Sequence, residues 1–306
     1  MPELPEVTTI TNQLKREIIG STIGDVRSVG GYKTQPEFPE FKKRSLGLKV
    51  SSVRRIAKNI VIEVVSAKGV STNMYIVIHL AMTGRLLLRS LGYKPDPWTR
   101  LVFKLEAGSG KPVTGVELRF CDSRMFGFVR LASQEELEQY ANKYGPDALD
   151  EKLTPKVFLE QLKKKRTEVK RALLSQDLIA GAGNIYVNDS LWMARIHPMT
   201  RTTDLKSNDA VNLLGALQEI LQESIEHRGS TLGDKMYIDV YGEEGTHQNH
   251  FRVFGKNGQP CIRCGTLIET FDLGGRGTFF CSTCQVKNAV TVKQNPPSNV
   301  KQVGLF

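Results

Sequence analysis

Apolar residues recur at helical spacing over residues 5–19, where Val7, Ile10, Leu14 and Ile18 share one face, so the pattern predicts an amphipathic helix. Between residues 50 and 131 the period becomes that of strands. Short apolar or alternating runs occupy residues 60–65, 74–80, 85–88, 101–105, 116–121 and 127–131, separated by breaks such as Ser66-Ala67-Lys68-Gly69 and Ala107-Gly108-Ser109-Gly110. Strands at this spacing predict an antiparallel sandwich or barrel. Helical periodicity returns after Ser133, over residues 135–144, 155–165, 170–175, 185–193 and 207–227, with Pro155 placed at a helix start behind Thr154. The chain therefore divides into a helix-plus-β-sandwich domain at residues 1–133 and a helical domain at 134–230. A polar, glycine-dotted segment at 229–250 reads as a long loop, a feature that is usually functional or disordered.

Composition narrows the class. With 306 residues, 40% hydrophobic and 24% charged, the chain is long enough for two or three buried cores and is neither fibrous nor disordered. Its longest strongly apolar stretch, residues 75–82, is interrupted by His79 and falls short of the ~18 residues a membrane span needs. The opening Met-Pro-Glu-Leu-Pro-Glu-Val lacks the basic and apolar segments of a secretory signal, so a cytoplasmic location is expected. A formal charge of +10 points to a polyanionic partner, with nucleic acid the most abundant candidate and an incidental basic surface the alternative.

Cysteine spacing adds chemistry. Cys261-x2-Cys264 and Cys281-x2-Cys284 flank residues 265–280 as two knuckles on a hairpin, the arrangement that holds one tetrahedral Zn2+. His247 and His250 lie close in sequence, but four thiolates already fill such a site. Cys121, alone in a strand-like run, reads as a small buried residue. The small-residue turn at 178–184 leads straight into a helix, where free N–H groups could face a phosphate, or it is a plain connection. Residues 288–306 carry Pro296-Pro297 and no acids, and read as a flexible basic tail.

Five segments in order carry a family resemblance: Met1-Pro2-Glu3-Leu4-Pro5-Glu6; His79 through Arg85; Asp122-Ser-Arg-Met-Phe-Gly127; Gly181-Ala-Gly-Asn-Ile-Tyr186 with Arg195-Ile-His-Pro198; and Gly275-Arg-Gly-Thr-Phe-Phe-Cys281. Together they resemble the formamidopyrimidine-DNA glycosylase family, relatives of endonuclease VIII. The resemblance implies an α+β multidomain fold: an N-terminal β-sandwich with its helix, a helix–two-turns–helix domain and, at 251–287, a zinc-finger β-hairpin. Residues 231–250 would be a lesion-capping loop. It further implies a monomer with one structural zinc that acts on damaged double-stranded DNA as a bifunctional glycosylase and AP lyase.

The chemistry can be reasoned from the residues. Removal of Met1 would leave Pro2 with a free secondary amine. At a reference pKa near ~7.7, roughly a fifth of it is neutral and nucleophilic at pH 7, which suits a Schiff-base former. Glu3 is placed to protonate the opening deoxyribose, with Glu6 in support from the first helical turn. The resemblance extends the catalytic set to Lys58 and Arg276. It assigns Met82, Arg124 and Phe126 to the gap left by a flipped nucleotide, and Lys170 and Asn184 to phosphates. The run Lys163–Arg166 is either another phosphate patch or a solvated helix face. Three positions depart from the usual family pattern: Ala57 for glycine, Ser123 for proline and Met125 for arginine. The last bears on opposite-base preference, since a hydrogen-bonding side chain has become apolar. The leading expectation is excision of oxidised purines. An endonuclease VIII-like preference for oxidised pyrimidines and a non-catalytic lesion-binding protein are the alternatives; Leu4, where those enzymes commonly carry glycine, bears on the first.

Overall fold

The computed structural model describes residues 2–66, 73–107 and 115–287, so the tail expected at 288–306 lies outside the described residues. Helix α1 (Leu4–Ile18) runs along the predicted stripe, and Val7, Ile10, Leu14 and Ile18 are all 0% exposed. Strand β1 (Thr22–Ser28) and helix α2 (Phe38–Ser45) follow. The meander continues through β2 (Leu48–Ile56), β3 (Asn59–Ser66), β4 (Met74–His79), β5 (Gly84–Ser90), β6 (Thr99–Glu106), β7 (Val116–Asp122) and β8 (Phe128–Ala132).

Among the described residues these strands form one antiparallel sheet in the order β5-β7-β6-β1-β2-β3-β4-β8. Inward side chains from all of them, among them Val26, Val53, Ile62, Ile78, Leu86, Phe103, Phe120 and Val129, share a single core with α1. A flat sheet could not bring its two ends to one core, so the strands fold back on themselves as a sandwich. The apolar runs did not include β1, α2 or β2. In β1 the alternation is broken at Gly24-Asp25, where the register shifts between Ile23 and Asp25; a Cβ on Gly24 would overlap the Glu106 carboxylate. Cys121 is buried, as expected.

The helical domain contains α3 (Gln134–Ala141), α4 (Pro155–Lys165), α5 (Val169–Leu173), α6 (Asn184–Met193) and α7 (Ser207–Glu226). Ser133 caps α3, and Thr154 caps α4 ahead of Pro155. Tyr186, Leu191, Leu213 and Leu217 centre its core, and Leu4 from the start of α1 belongs to this second core rather than the first. The N-terminus thus joins the two domains.

The segment at 229–250 has little regular structure beyond a 3-10 turn at His247–His250, yet it is firmly packed. Tyr237 and Val240 enter the sandwich core, and Asp239 accepts a 2.7 Å hydrogen bond from Gln13. Beyond it, β9 (Glu269–Asp272) and β10 (Gly277–Phe280) form the C-terminal hairpin. The buried Asp189 carboxylate accepts from the amides of Arg252, Val253 and Phe254 at 2.8–2.9 Å, fixing the approach to that hairpin on α6.

Candidate active site and nucleic-acid interface

The start of α1 is held from both sides. Glu3 N–H donates to the Glu6 carboxylate at 2.7 Å, and Leu4 N–H donates to the Gly181 carbonyl at 3.1 Å. The Glu3 side chain enters the turn before α6, where Oε1 accepts from Ile185 N–H at 3.2 Å and Oε2 has no protein partner. The glycines of this turn exist for that contact. A Cβ on Gly183 would overlap the Glu3 carboxyl group, and one on Gly181, whose φ is +99°, would lie 2.5 Å from Leu4. An amide in the first turn of α6, that of Ile185, therefore faces a carboxylate of the chain itself.

Burial pushes the Glu3 carboxyl up to about 6, with Lys58 opposing and Glu6 adding to the rise. Glu6 is also buried but fully partnered: it accepts from Glu3 N–H, from Ser230 N–H at 2.8 Å and from the Tyr186 hydroxyl. Tyr186 in turn receives the Ser224 hydroxyl at 2.7 Å. Glu6 is thus a junction between α1, α6, α7 and the segment after it. Pro2, directly before Glu3, is buried.

Lys58 comes from the β2–β3 hairpin and is only 8% exposed. Ala57 before it has φ +52°, the left-handed conformation for which glycine is the usual residue. Burial lowers the Lys58 ammonium, Glu3 and Glu6 oppose this, and Arg276 adds to the fall. Arg276 also depresses Lys170, whose burial holds it at about 7. One exposed arginine on the hairpin is therefore within electrostatic reach of cations from both other domains.

Lys170, which the resemblance assigns to phosphates, faces the zinc hairpin. It is 0% exposed, and its ammonium donates to the Gly277 carbonyl and the Thr278 hydroxyl, both at 2.8 Å. Asn184 reaches the same carbonyl at 3.1 Å, while Asn188 accepts from Phe279 N–H at 3.0 Å. Asn188, absent from the sequence expectations, could have been found only by knowing that α6 packs on the hairpin. Lys163–Arg166, by contrast, is an exposed helix end with Lys165 paired to Asp177.

Met82, Arg124 and Phe126 do come together. Arg124 lies over the Phe126 ring at 4.8 Å and 3.6 Å from the Met82 sulfur. Met82 and Phe126 are 44% and 59% exposed, far more than core residues of their size, and Met125 beside them is 56% exposed. Their scaffold is Asp122, which is fully buried: one oxygen accepts from Thr83 at 2.5 Å and the other from Gly127 N–H at 2.8 Å. The motif at 122–127 contains Asp122, but nothing in the sequence marks it for this role.

The four cysteine sulfurs cluster, with Sγ separations of 3.4 Å (Cys264–Cys281), 3.5 Å (Cys264–Cys284) and 3.9 Å (Cys261–Cys284). Thiolates ~2.3 Å from a tetrahedral zinc are about 3.8 Å apart, so the donor set fits one structural Zn2+. Trp192 Nε1 lies 3.4 Å from the Cys261 sulfur, a partner that orients the ligand.

Comparison with known proteins places these features in one lineage. Residues 1–129 match the formamidopyrimidine-DNA glycosylase N-terminal domain, residues 144–236 its H2TH domain and residues 258–286 the zinc finger found in FPG and IleRS. The formamidopyrimidine-DNA glycosylase of Herpetosiphon aurantiacus is 36% identical over 93% of this chain and all of that protein; that of Chloroflexus aurantiacus is 37% identical over 94% and 98%. Among solved structures, a point mutant of Lactococcus lactis FPG bound to Fapy-dG-containing DNA superposes with a TM-score of 0.83 at 32% identity, covering 94% of this chain and 100% of the other. The same organism's Fpg on DNA with an abasic site gives 0.82 at 32% identity over 93% and 100%. A sandwich, an H2TH domain and a zinc hairpin around a buried N-terminal acid define a DNA glycosylase and AP lyase of base excision repair. The chain belongs to the formamidopyrimidine-DNA glycosylase family.

The Gly183 contact yields a direct prediction. Gly183→Ala is expected to displace the Glu3 carboxylate and lower the rate of base release at least ~10-fold, because a displacement of an ångström can cost more than that. Single-turnover kinetics on a lesion duplex would measure it. An unchanged rate would show that the acid does not act from this position.

Proposed function

We propose that this chain excises oxidised purines, namely 8-oxoguanine and formamidopyrimidines, from duplex DNA through a Schiff base at Pro2. The observation that carries this reading is the Glu3 carboxyl: buried, with one oxygen unpartnered, held near pKa 6 and adjacent in sequence to the N-terminal nitrogen. With Met1 removed, the Pro2 lone pair attacks C1′ and the C1′–base bond breaks; the electron pair leaves with the base, which takes up the proton lost from the Pro2 nitrogen. Glu3 gives its proton to O4′ as the C1′–O4′ bond opens, and the nitrogen lone pair closes the iminium. The iminium acidifies C2′–H. Loss of that proton expels the 3′ phosphate, and a second elimination expels the 5′ phosphate. Water then releases the sugar fragment and returns free Pro2.

In this reading Lys58 and Arg276 hold the phosphates that flank the extruded nucleotide, while Phe126, Arg124 and Met82 occupy the space it leaves. Lys170 and Asn184 act through the hairpin that carries Arg276. Zinc holds that hairpin in shape. Residues 231–250, already packed against the sandwich, would cover the extruded base.

Oxidised pyrimidines are a second reading, favoured by one observation: a wild-type Lactococcus lactis relative with TM-score 0.82 and 33% identity is described with an oxidised pyrimidine containing DNA. The test is a panel of single-lesion duplexes, each lesion opposite each base, scored separately for base release, nicking and borohydride trapping. Oxidised purines should be released fastest, and Pro2→Gly should lose the trapped adduct. Faster release of oxidised pyrimidines would favour the second reading, and an equally trapped Pro2→Gly protein would remove Pro2 as nucleophile. Absence of any nicked product would leave a lesion binder.

Arg276 offers an independent check on the interface. Arg276→Ala is expected to reduce the slope of log affinity against log salt by about one. Fluorescence anisotropy on an abasic-site duplex would measure the slope, and an unchanged value would exclude a phosphate contact.

A further inference from the structure

Three of the five histidines in the chain meet at a place separate from the zinc cysteines. Glu223 and His227 lie one turn apart at the end of α7, on the same face, and His247 comes from the 3-10 turn after the packed segment. One ligand atom from each falls within 4.8 Å of the others. His247 is only 1% exposed, and neither of its ring nitrogens has a hydrogen-bond partner. A buried imidazole with both nitrogens unpaired is unusual enough to need a partner.

The neighbours suit a ligand role. His227 Nδ1 lies 2.9 Å from the Glu223 carbonyl, so donation from Nδ1 leaves the lone pair on Nε2. His250 stacks on the His227 ring with centroids 3.9 Å apart, which fixes its orientation. Arg252 occupies part of the Glu223 carboxylate at 2.9 Å and 3.1 Å, and two oxygens with about four lone-pair sites leave room for a further partner.

We propose that Glu223, His227 and His247 bind one divalent transition metal ion of the zinc class, with the remaining positions filled by water. Two imidazoles and a carboxylate suit Zn2+ or Ni2+ and disfavour Mg2+ and Ca2+, which take oxygen ligands. The His247 ring is buried with both nitrogens unpaired, so the lone pair of the neutral imidazole is free to take an ion while the other nitrogen keeps its proton. The ion would tie the end of α7 to the segment packed on the sandwich. That tie sits behind the active site: the His247 ring lies 5.7 Å from that of Tyr186, whose hydroxyl donates to Glu6.

The test is calorimetric titration of the zinc-loaded protein with Zn2+, together with melting with and without added Zn2+. The wild-type protein should take up one further equivalent and melt at higher temperature with added metal. His227→Gln and Glu223→Gln, both at half-buried positions that leave the core intact, should each weaken the second equivalent at least about 10-fold. No second equivalent in the wild type would overturn the proposal. Equal uptake by wild type and both variants would place the ion elsewhere and overturn it as well.

Discussion

Replacing Glu3 with glutamine is expected to lower the single-turnover rate of base release by about 10²- to 10⁴-fold, the usual contribution of a positioned acid. The shape of the pH profile should change too. In the proposed mechanism the active form has Glu3 protonated and the Pro2 nitrogen neutral. With Glu3 near 6 and the amine near its reference ~7.7, the wild-type rate rises up to about pH 6, stays level, and falls above about pH 8. The alkaline fall arises because deprotonation of Glu3 is no longer offset by deprotonation of the amine. In Glu3→Gln that offset disappears: the residual rate should rise to about pH 8 and then stay level. A purely structural role would lower the rate and keep the fall.

The same substitution bears on stability. A carboxyl whose pKa is raised on folding binds its proton more tightly in the native state, so its contribution is greatest below the ordinary value of 4.5 and is lost as pH rises through about 6. At pH 7 the ionised, buried Glu3 therefore costs stability, on the order of 2 kcal/mol for a shift of this size. Glu3→Gln should melt higher than wild type at pH 7, with the advantage vanishing near pH 4. An enzyme stabilised by loss of its acid is the expected trade between activity and stability. A variant that melts lower at pH 7 would show that the glutamine amide, beside an oxygen site with no protein partner, cannot be accommodated.

These two predictions rest on a part of the site that the sequence only half disclosed. The face of α1 was legible because Val7, Ile10, Leu14 and Ile18 follow the helical period, and all of them are buried in the sandwich core. The zinc cysteines were legible because ligand spacing is local. The purpose of Gly181 and Gly183 was not. Their neighbours, Leu4 and Glu3, come from the opposite end of the chain, and nothing local distinguishes a turn that cradles a phosphate from one that admits a carboxylate. The setting of Lys170, which the resemblance assigns to phosphates, was hidden for the same reason. Nothing near it in sequence announces burial, and only the docked hairpin reveals the carbonyl and hydroxyl that make burial tolerable. Segment 229–250 lacks periodicity because its order comes from Tyr237 and Val240 in a core built by other elements.

Loss of zinc should have the second large effect, and Cys264→Ser is the clean way to produce it, since a chelator would also strip any ion held by the histidines. Strands β9 and β10 are 4 residues each, too short to persist as an isolated hairpin. Their module packs through Trp192, Val253, Ile268, Cys261 and Cys281, so two of the metal ligands are themselves part of its small core. Without the ion, the cysteines lose their common partner and the hairpin loses its shape. Gly277 and Thr278 then leave the Lys170 ammonium, which loses both of these partners, and Arg276 leaves the neighbourhood of Lys58. Losing the charge-assisted Arg276 phosphate contact, worth ~1.5–3 kcal/mol, should weaken binding to an abasic-site duplex by at least ~10-fold. The sandwich should stay folded, because its core contains no residue of the hairpin. Anisotropy with an abasic-site duplex, alongside metal analysis to establish that the finger is empty, measures this directly. Metal-free Cys264→Ser protein that binds with wild-type affinity would mean that the hairpin contributes nothing to the interface, and the convergence of Lys58, Lys170 and Arg276 would then have no functional meaning.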